Sequence, residues 1–230
     1  MPSERYASPS PSLPPKAINE KHGLAVLACD RSGSVSPYIN EINQGLHDFG
    51  DVMKAKHKAA SVIDVELLSF GSEVTCEVGF RPAAEYVAPT LCASGCTAFN
   101  QAIIAALKDL RKRKDYYHQI GTPFWRPVLL IYSDGLPTDS EYEAEAKQML
   151  QEAYDNKGVT LYVMAVGNDA DVEHLRSYLP GGKGKVLKCS PTNISEALIW
   201  YSSSMADLGE SDPSLEHMKT APLPACVTTC

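Results

Sequence analysis

The chain has 230 residues, enough for one α/β domain with a full hydrophobic core and too few for two ordinary domains and a linker. Its 44% hydrophobic and 21% charged content excludes a disordered chain or a fibrous rod. With 28 acidic against 21 basic side chains the net charge is −7, which argues against a general nucleic-acid or anionic-lipid surface, so neither partner is expected.

Residues 1 to 21 are rich in Ser and Pro, with few large apolar side chains, and read as a flexible arm that lacks the apolar stretch of a secretory signal. Leu24 to Cys29 is a short apolar run ending at Asp30, as expected of a strand buried on both faces. Ser36 and Pro37 then read as N-cap and first helical residue, with Ile39, Ile42, Leu46, Phe49 and Met53 on one stripe. Val62 to Phe70 and Glu73 to Val78 form a hairpin at a sheet edge, and Ala98 to about Tyr116 is helical. Val128 to Tyr132 is another buried strand, ending at Asp134. Thr138 and Glu141 form a capping box before a helix that Gly158 stops. Val159 to Val166 is a strand, Asp171 to Leu179 a short helix and Lys185 to Cys189 a last strand. Asn193 with Glu196 caps a final helix to about Leu208, after which residues 209 to 230 return to a loose Ser-, Pro- and Thr-rich composition.

This alternation predicts an α/β fold over residues 22 to 208: a doubly wound, mostly parallel central sheet with one antiparallel edge strand and helices on both faces. No apolar run reaches the roughly 18 residues of a membrane span. Seven scattered cysteines, an odd number, point to a reducing compartment, so the cytoplasm is the expected location. The basic runs Lys54 to Lys58 and Lys108 to Lys114 fall near the ends of predicted helices, where cations complement the helix dipole.

Ligands of an open α/β sheet sit beyond the carboxyl ends of its strands, and there the sequence places oxygens. Asp30-Arg31-Ser32-Gly33-Ser34 follows the first strand, Thr97 precedes a helix, and Ser133-Asp134-Gly135 ends the central strand. Together Asp30, Ser32, Ser34, Thr97 and Asp134 supply five hard oxygen ligands from three loops and suit Mg²⁺, with Mn²⁺ or Ca²⁺ as alternatives.

The DxSxS run, the later Gly95-Cys96-Thr97 and the strand-end Ser133-Asp134-Gly135, in this order, resemble the metal-ion-dependent adhesion site (MIDAS) of von Willebrand factor A (vWA) domains. Residues 133 to 139, preceded by Trp125-Arg126-Pro127, are similar more narrowly to the bacterial TerY branch, associated with tellurite resistance and often encoded beside a protein kinase and a PP2C-type phosphatase. The resemblance implies that Ser32 and Ser34 bind the metal directly and that Thr97 joins when a ligand is engaged. Asp30 and Asp134 then act directly or through water. It implies a non-enzymatic module whose metal takes an Asp or Glu from a protein partner, the kinase and phosphatase among the candidates. Val35, Cys96 and Ser133 depart from the commoner Met, Gly and Thr, and none removes a ligand atom.

The alternative is a metal-assisted phosphatase or phosphotransferase with Asp30 as nucleophile, but such haloacid-dehalogenase-like enzymes need an Asp two residues on, where Ser32 stands. Without GxGxxG after the first strand, a dinucleotide site ranks lower still. Asp139 reads as a helix cap, Pro180 to Lys185 as a turn, the six histidines as solvated surface, and Cys226 and Cys230 as free thiols that form at most half of a zinc knuckle.

Overall fold

The computed structural model describes residues 12–134, 136–167, 170–182, 186–211 and 221–230. Residues 1 to 11 of the arm, Gly135, Lys183 to Lys185, and the 212–220 part of the tail with His217 lie outside the described residues. The strands β1 (Gly23–Asp30), β2 (Ile63–Phe70), β3 (Val74–Pro82), β4 (Val128–Ser133), β5 (Thr160–Val166), β6 (Val186–Cys189) and β7 (Val227–Thr229) form one sheet in the order β3-β2-β1-β4-β5-β6-β7. The five central strands are parallel, and β3 and β7 run antiparallel at the two edges.

β1, β2 and β4 are buried along their whole length because helices cover both faces, and their continuous Leu, Val and Ile runs follow from that. On one face lie α1 (Ile39–Ala55), α2 (His57–Val62) and α6 (Ile194–Glu210), where Phe49, Met53, Tyr201 and Met205 pack on Leu27, Val65 and Leu130. On the other lie α3 (Phe99–Ile120), α4 (Glu143–Asp155) and α5 (Val172–Arg176), where Phe99, Ile103, Leu110 and Leu150 pack on Val26, Leu129 and Ile131. Each fully buried Leu-sized side chain contributes about 1.5–3 kcal/mol, so the alternating strand residues are shared between two cores.

Several local expectations change. A 3-10 turn over Gly33–Tyr38 precedes α1, so Ser36 does not cap it, and Thr138 and Asn193 make no side-chain cap to the helices that follow them. Thr138 instead bonds Thr97 across the loops, and the Asn193 Oδ1 accepts from Ser190 and Thr192. The tail, expected loose, supplies β7 in register with β6: Val227 is buried opposite Cys189, and the Trp200 Nε1 donates to the Ala221 carbonyl at 2.8 Å. A three-residue strand needs no long apolar run, because β6 already offers an open edge. Within the arm, Pro15 is buried and the Leu13 N–H donates to the Phe80 carbonyl at 2.7 Å. His22, expected on the surface, is fully buried edge-on against Tyr117.

Candidate metal centre

β1 and β4 are hydrogen-bonded neighbours running the same way, so Asp30 and Asp134 emerge side by side at the carboxyl end of the sheet. Asp30 is fully buried. Its Oδ1 accepts from the Ser32 N–H at 2.8 Å and its Oδ2 from the Ser133 hydroxyl at 2.6 Å, which fixes the carboxylate as the base of the site. Burial pushes the Asp30 carboxyl up from the usual carboxylate range; hydrogen bonds from Ser133 and Ser32 oppose the shift and the nearby Asp134 adds to it.

Above this base the oxygens are continuous. The Ser32 and Ser34 hydroxyls lie 2.9 Å apart, and the Ser34 hydroxyl donates to the Asp134 Oδ1 at 2.7 Å. The Tyr38 hydroxyl donates to the other Asp134 oxygen, a contact that the sequence reading missed although Tyr38 follows Ser34 by only four residues. The structure thus brings Asp30, Ser32, Ser34 and Asp134 into one cluster.

Thr97 stands at the head of α3, nearly buried, and its loop is tied to the other two. The Gly33 N–H donates to the Gly95 carbonyl at 2.9 Å and the Ser94 N–H to the Arg31 carbonyl at 2.7 Å, joining the second loop to the first. Gly95 has φ +82°, and a Cβ there would meet the Ser72 hydroxyl at 2.4 Å, so this close approach requires glycine. The second and third loops are joined reciprocally: the Thr97 N–H donates to the Thr138 hydroxyl and the Thr138 N–H to the Thr97 carbonyl, both at 3.0 Å.

Asp139 caps a helix, but not its own. Its Oδ1 accepts from the Asn100 N–H at 3.2 Å and its Oδ2 from the Gln101 N–H at 2.8 Å, so it satisfies the first turn of α3 from another loop. Asn100 is fully buried, held by Asp139 and by the Tyr178 hydroxyl at 2.7 Å. No local pattern announces a cap supplied from 38 residues away.

The donor set fits a hard divalent cation. The Ser32 and Ser34 hydroxyls and the Asp134 carboxylate adjoin at 2.7–2.9 Å, Asp30 is held beneath them by the Ser32 N–H, and Thr97 stands on a loop bonded to both others. Among the described residues no group of three His, Cys, Asp or Glu is assembled to hold a metal, so a centre here rests on hydroxyls as much as on carboxylates. Among the described residues no helix is long and apolar enough to cross a membrane.

No protein-family model and no curated protein matches the sequence. Solved structures do match. The pilus adhesin SpaC from Lactobacillus rhamnosus GG, in an open conformation, superposes with a TM-score of 0.63 at 12% identity over 84% of this chain and 31% of its own. The vWF domain of the type V pili tip protein Mfa5 from Porphyromonas gingivalis gives 0.60 at 10% identity, over 84% of this chain and 97% of that one. Proximal thread matrix protein 1 from the mussel byssus, with a zinc-occupied MIDAS motif, gives 0.56 at 14% identity, over 81% and 48%. The chain therefore has the fold of a vWA domain, and it spans about a third of SpaC and about half of the byssus protein.

Proposed function

We propose that this chain is a metal-dependent protein-binding module, in which Asp30, Ser32, Ser34, Thr97 and Asp134 hold a divalent cation, preferentially Mg²⁺, for an Asp or Glu side chain of a protein partner. The observation that carries the reading is the hydrogen-bonded oxygen cluster in which the Ser32 and Ser34 hydroxyls lead to the Asp134 carboxylate above a buried Asp30. When bound, the cation supplies an electron-poor centre that attracts an incoming carboxylate. Ser32 and Ser34 contribute neutral oxygens, which leave that centre more positive than a cage of carboxylates would. Asp30 orients the loop from behind, and positive charge there relieves the cost of burying its carboxylate. The zinc-occupied MIDAS of a protein with this fold supports the metal, and the adhesins among the similar structures support a protein-facing role.

The finer reading rests on residues 125 to 139: a cytoplasmic component of a TerY-like phosphorylation and tellurite-resistance system, with a protein kinase and a PP2C-type phosphatase as partners. The module is not an enzyme in this reading. Asp30 is a poor nucleophile, being fully buried with both oxygens accepting hydrogen bonds.

Calorimetric titration with Mg²⁺ tests the site. The Ser32→Ala/Ser34→Ala double variant should lose binding while its circular dichroism is unchanged, and an unchanged affinity would remove the site from this loop. Thr97→Ala should keep more Mg²⁺ affinity than the double variant yet lose partner binding comparably. A captured partner complex indifferent to EDTA and to partner Asp→Asn or Glu→Gln changes would overturn the mechanism.

A further inference from the structure

The basic run Lys108 to Lys114 is not at a helix end. α3 continues to Ile120, six residues beyond Lys114, so dipole complementarity does not account for it. Three of its five cations have acidic partners: Lys108 reaches Glu145 at 3.8 Å, Lys112 reaches Asp109 at 3.0 Å, and Arg113 pairs with buried Asp64. Arg111 and Lys114 have no ion pair among the described residues. Both line a cavity of about 550 Å³ at the amino end of the sheet.

Two further cations reach the same cavity from other segments: Arg126 from just before β4 and Lys157 from the turn between α4 and β5. Neither has an ion pair among the described residues. Against these four charges the lining offers one carboxylate, Asp115, while His118 adds charge when protonated. A surplus of three positive charges in one concavity, on a chain of net charge −7, is a local reversal of the whole molecule's sign.

The backbone around Lys157 bears on the same point. α4 ends in a Schellman turn: the Gly158 N–H donates to the Ala153 carbonyl at 2.6 Å and the Lys157 N–H to the Tyr154 carbonyl at 2.9 Å. The left-handed position of that turn normally belongs to glycine, yet Lys157 occupies it with φ +50°, although Gly158 is next in the chain. Lys114 approaches the same turn, its Nζ pointing to the Gly158 carbonyl at 3.5 Å. Burial lowers the Lys114 pKa, with Arg111 adding to the shift and Asp115 opposing it.

We propose that this cavity binds a phosphomonoester dianion, with Arg111, Lys114, Arg126 and Lys157 as its cationic contacts. A single carboxylate would leave most of the surplus charge unanswered, whereas a phosphomonoester brings close to two negative charges and three acceptor oxygens suited to guanidinium forks. Phe124 provides an apolar wall beside the cations, which favours an ester over free phosphate. The site lies at the opposite end of the sheet from Asp30 and Asp134 and is independent of the reading proposed for them.

The test is titration of the full chain, in metal-free buffer, with phenyl phosphate, inorganic phosphate, a phosphotyrosine peptide and benzoate. Phenyl phosphate should bind about tenfold more tightly than benzoate and weaken as salt rises. The peptide arm separates sources: binding as tight as phenyl phosphate or tighter assigns the site to phosphorylated protein, and weaker binding assigns it to small esters. Arg126→Gln should weaken phenyl phosphate binding by about fivefold or more. Lys157→Gly should weaken it similarly while raising the melting temperature, because the left-handed backbone is relieved. A merely capping Lys157 would raise the melting temperature and leave binding alone. Lys112→Gln on the same helix and the Ser32→Ala/Ser34→Ala variant should bind phenyl phosphate as the unaltered chain does. Equal affinity for benzoate and phenyl phosphate, no binding of any arm at about 10 mM, or variants at Arg126 and Lys157 that bind normally would overturn the proposal.

Discussion

At its carboxyl end β4 delivers Asp134 into a cluster of oxygens, whereas the residues just before its amino end place Arg126 beside Lys114 and Lys157 in a basic cavity. Eight residues, about 26 Å of extended chain, separate the two. The carboxyl end is held by short side chains and loop backbone: Asp30, Ser32, Ser34, Asp134 and Thr97 belong to loops that bond one another at 2.6–3.0 Å. The amino end presents long, separately tethered cations over a buried framework in which the Arg113 guanidinium and the Tyr117 hydroxyl both donate to the Asp64 carboxylate. One end is thus preorganised by hydrogen bonds among its own candidate ligand residues. The other has four cations without an ion pair among the described residues, beside a separate buried network at Asp64, so stability and ligand binding should separate differently at each end.

The largest effect should come from the buried network. Asp64→Ala leaves Arg113 without its partner in the interior and should lower the unfolding free energy by about 3–5 kcal/mol in denaturant titrations. An Asp64→Leu/Arg113→Met double variant should recover much of that loss, and failure to recover would mean that the pair contributes more than avoidance of an unpaired charge. Mg²⁺ affinity of the folded fraction should not change in either case.

At the cap that Asp139 places on α3, stability and binding should fall together. Asp139→Ala removes the cap on Asn100 and Gln101, with an expected cost of about 1–2 kcal/mol. The Thr97 loop should loosen with it and Mg²⁺ affinity should fall about tenfold. Lost stability at constant Mg²⁺ affinity would break the proposed coupling between cap and site.

Tyr38→Phe is a smaller change. It frees the Asp134 oxygen that now accepts the Tyr38 hydroxyl, and calorimetry should show Mg²⁺ affinity raised about three- to tenfold. A weaker affinity would mean that Tyr38 orients Asp134 rather than competing for it.

The smallest expected effect is at Glu66, near the buried network. Burial, with Asp109 adding, pushes its carboxyl well above the usual range, against the pull of Lys112 and Arg113. The unfolded chain releases this proton first, so the raised native pKa makes stability fall as pH rises from about 4.3, the unfolded Glu value, toward the native one. Glu66→Gln should remove that slope and gain about 1 kcal/mol at about pH 8. Parallel pH profiles for variant and unaltered chain would show that Glu66 keeps its charge when folded.

What local physics dictates could be read from the amino-acid sequence alone. The continuous apolar runs of β1, β4 and β5 and the three- and four-residue steps of α1 and α3 reveal buried strands and amphipathic helices, because each records the environment of its own segment. The cluster of candidate metal ligands was legible for a related reason: Asp30, Ser32 and Ser34 are neighbours in the chain, and Asp134 ends a strand whose place beside β1 follows from parallel α/β topology. The remaining contacts join segments far apart in the chain and emerge only from the folded arrangement. Asp139 caps α3 across 38 residues, Tyr38 reaches Asp134 across 96, and β7 forms because β6 exposes an edge. The cations of α3 took on meaning only when the end of α4 and the approach to β4 brought Lys157 and Arg126 beside them. Periodicity describes what a segment does within a few residues of itself; which distant loops share an end of the sheet is set by the order of strands, and no single segment encodes it.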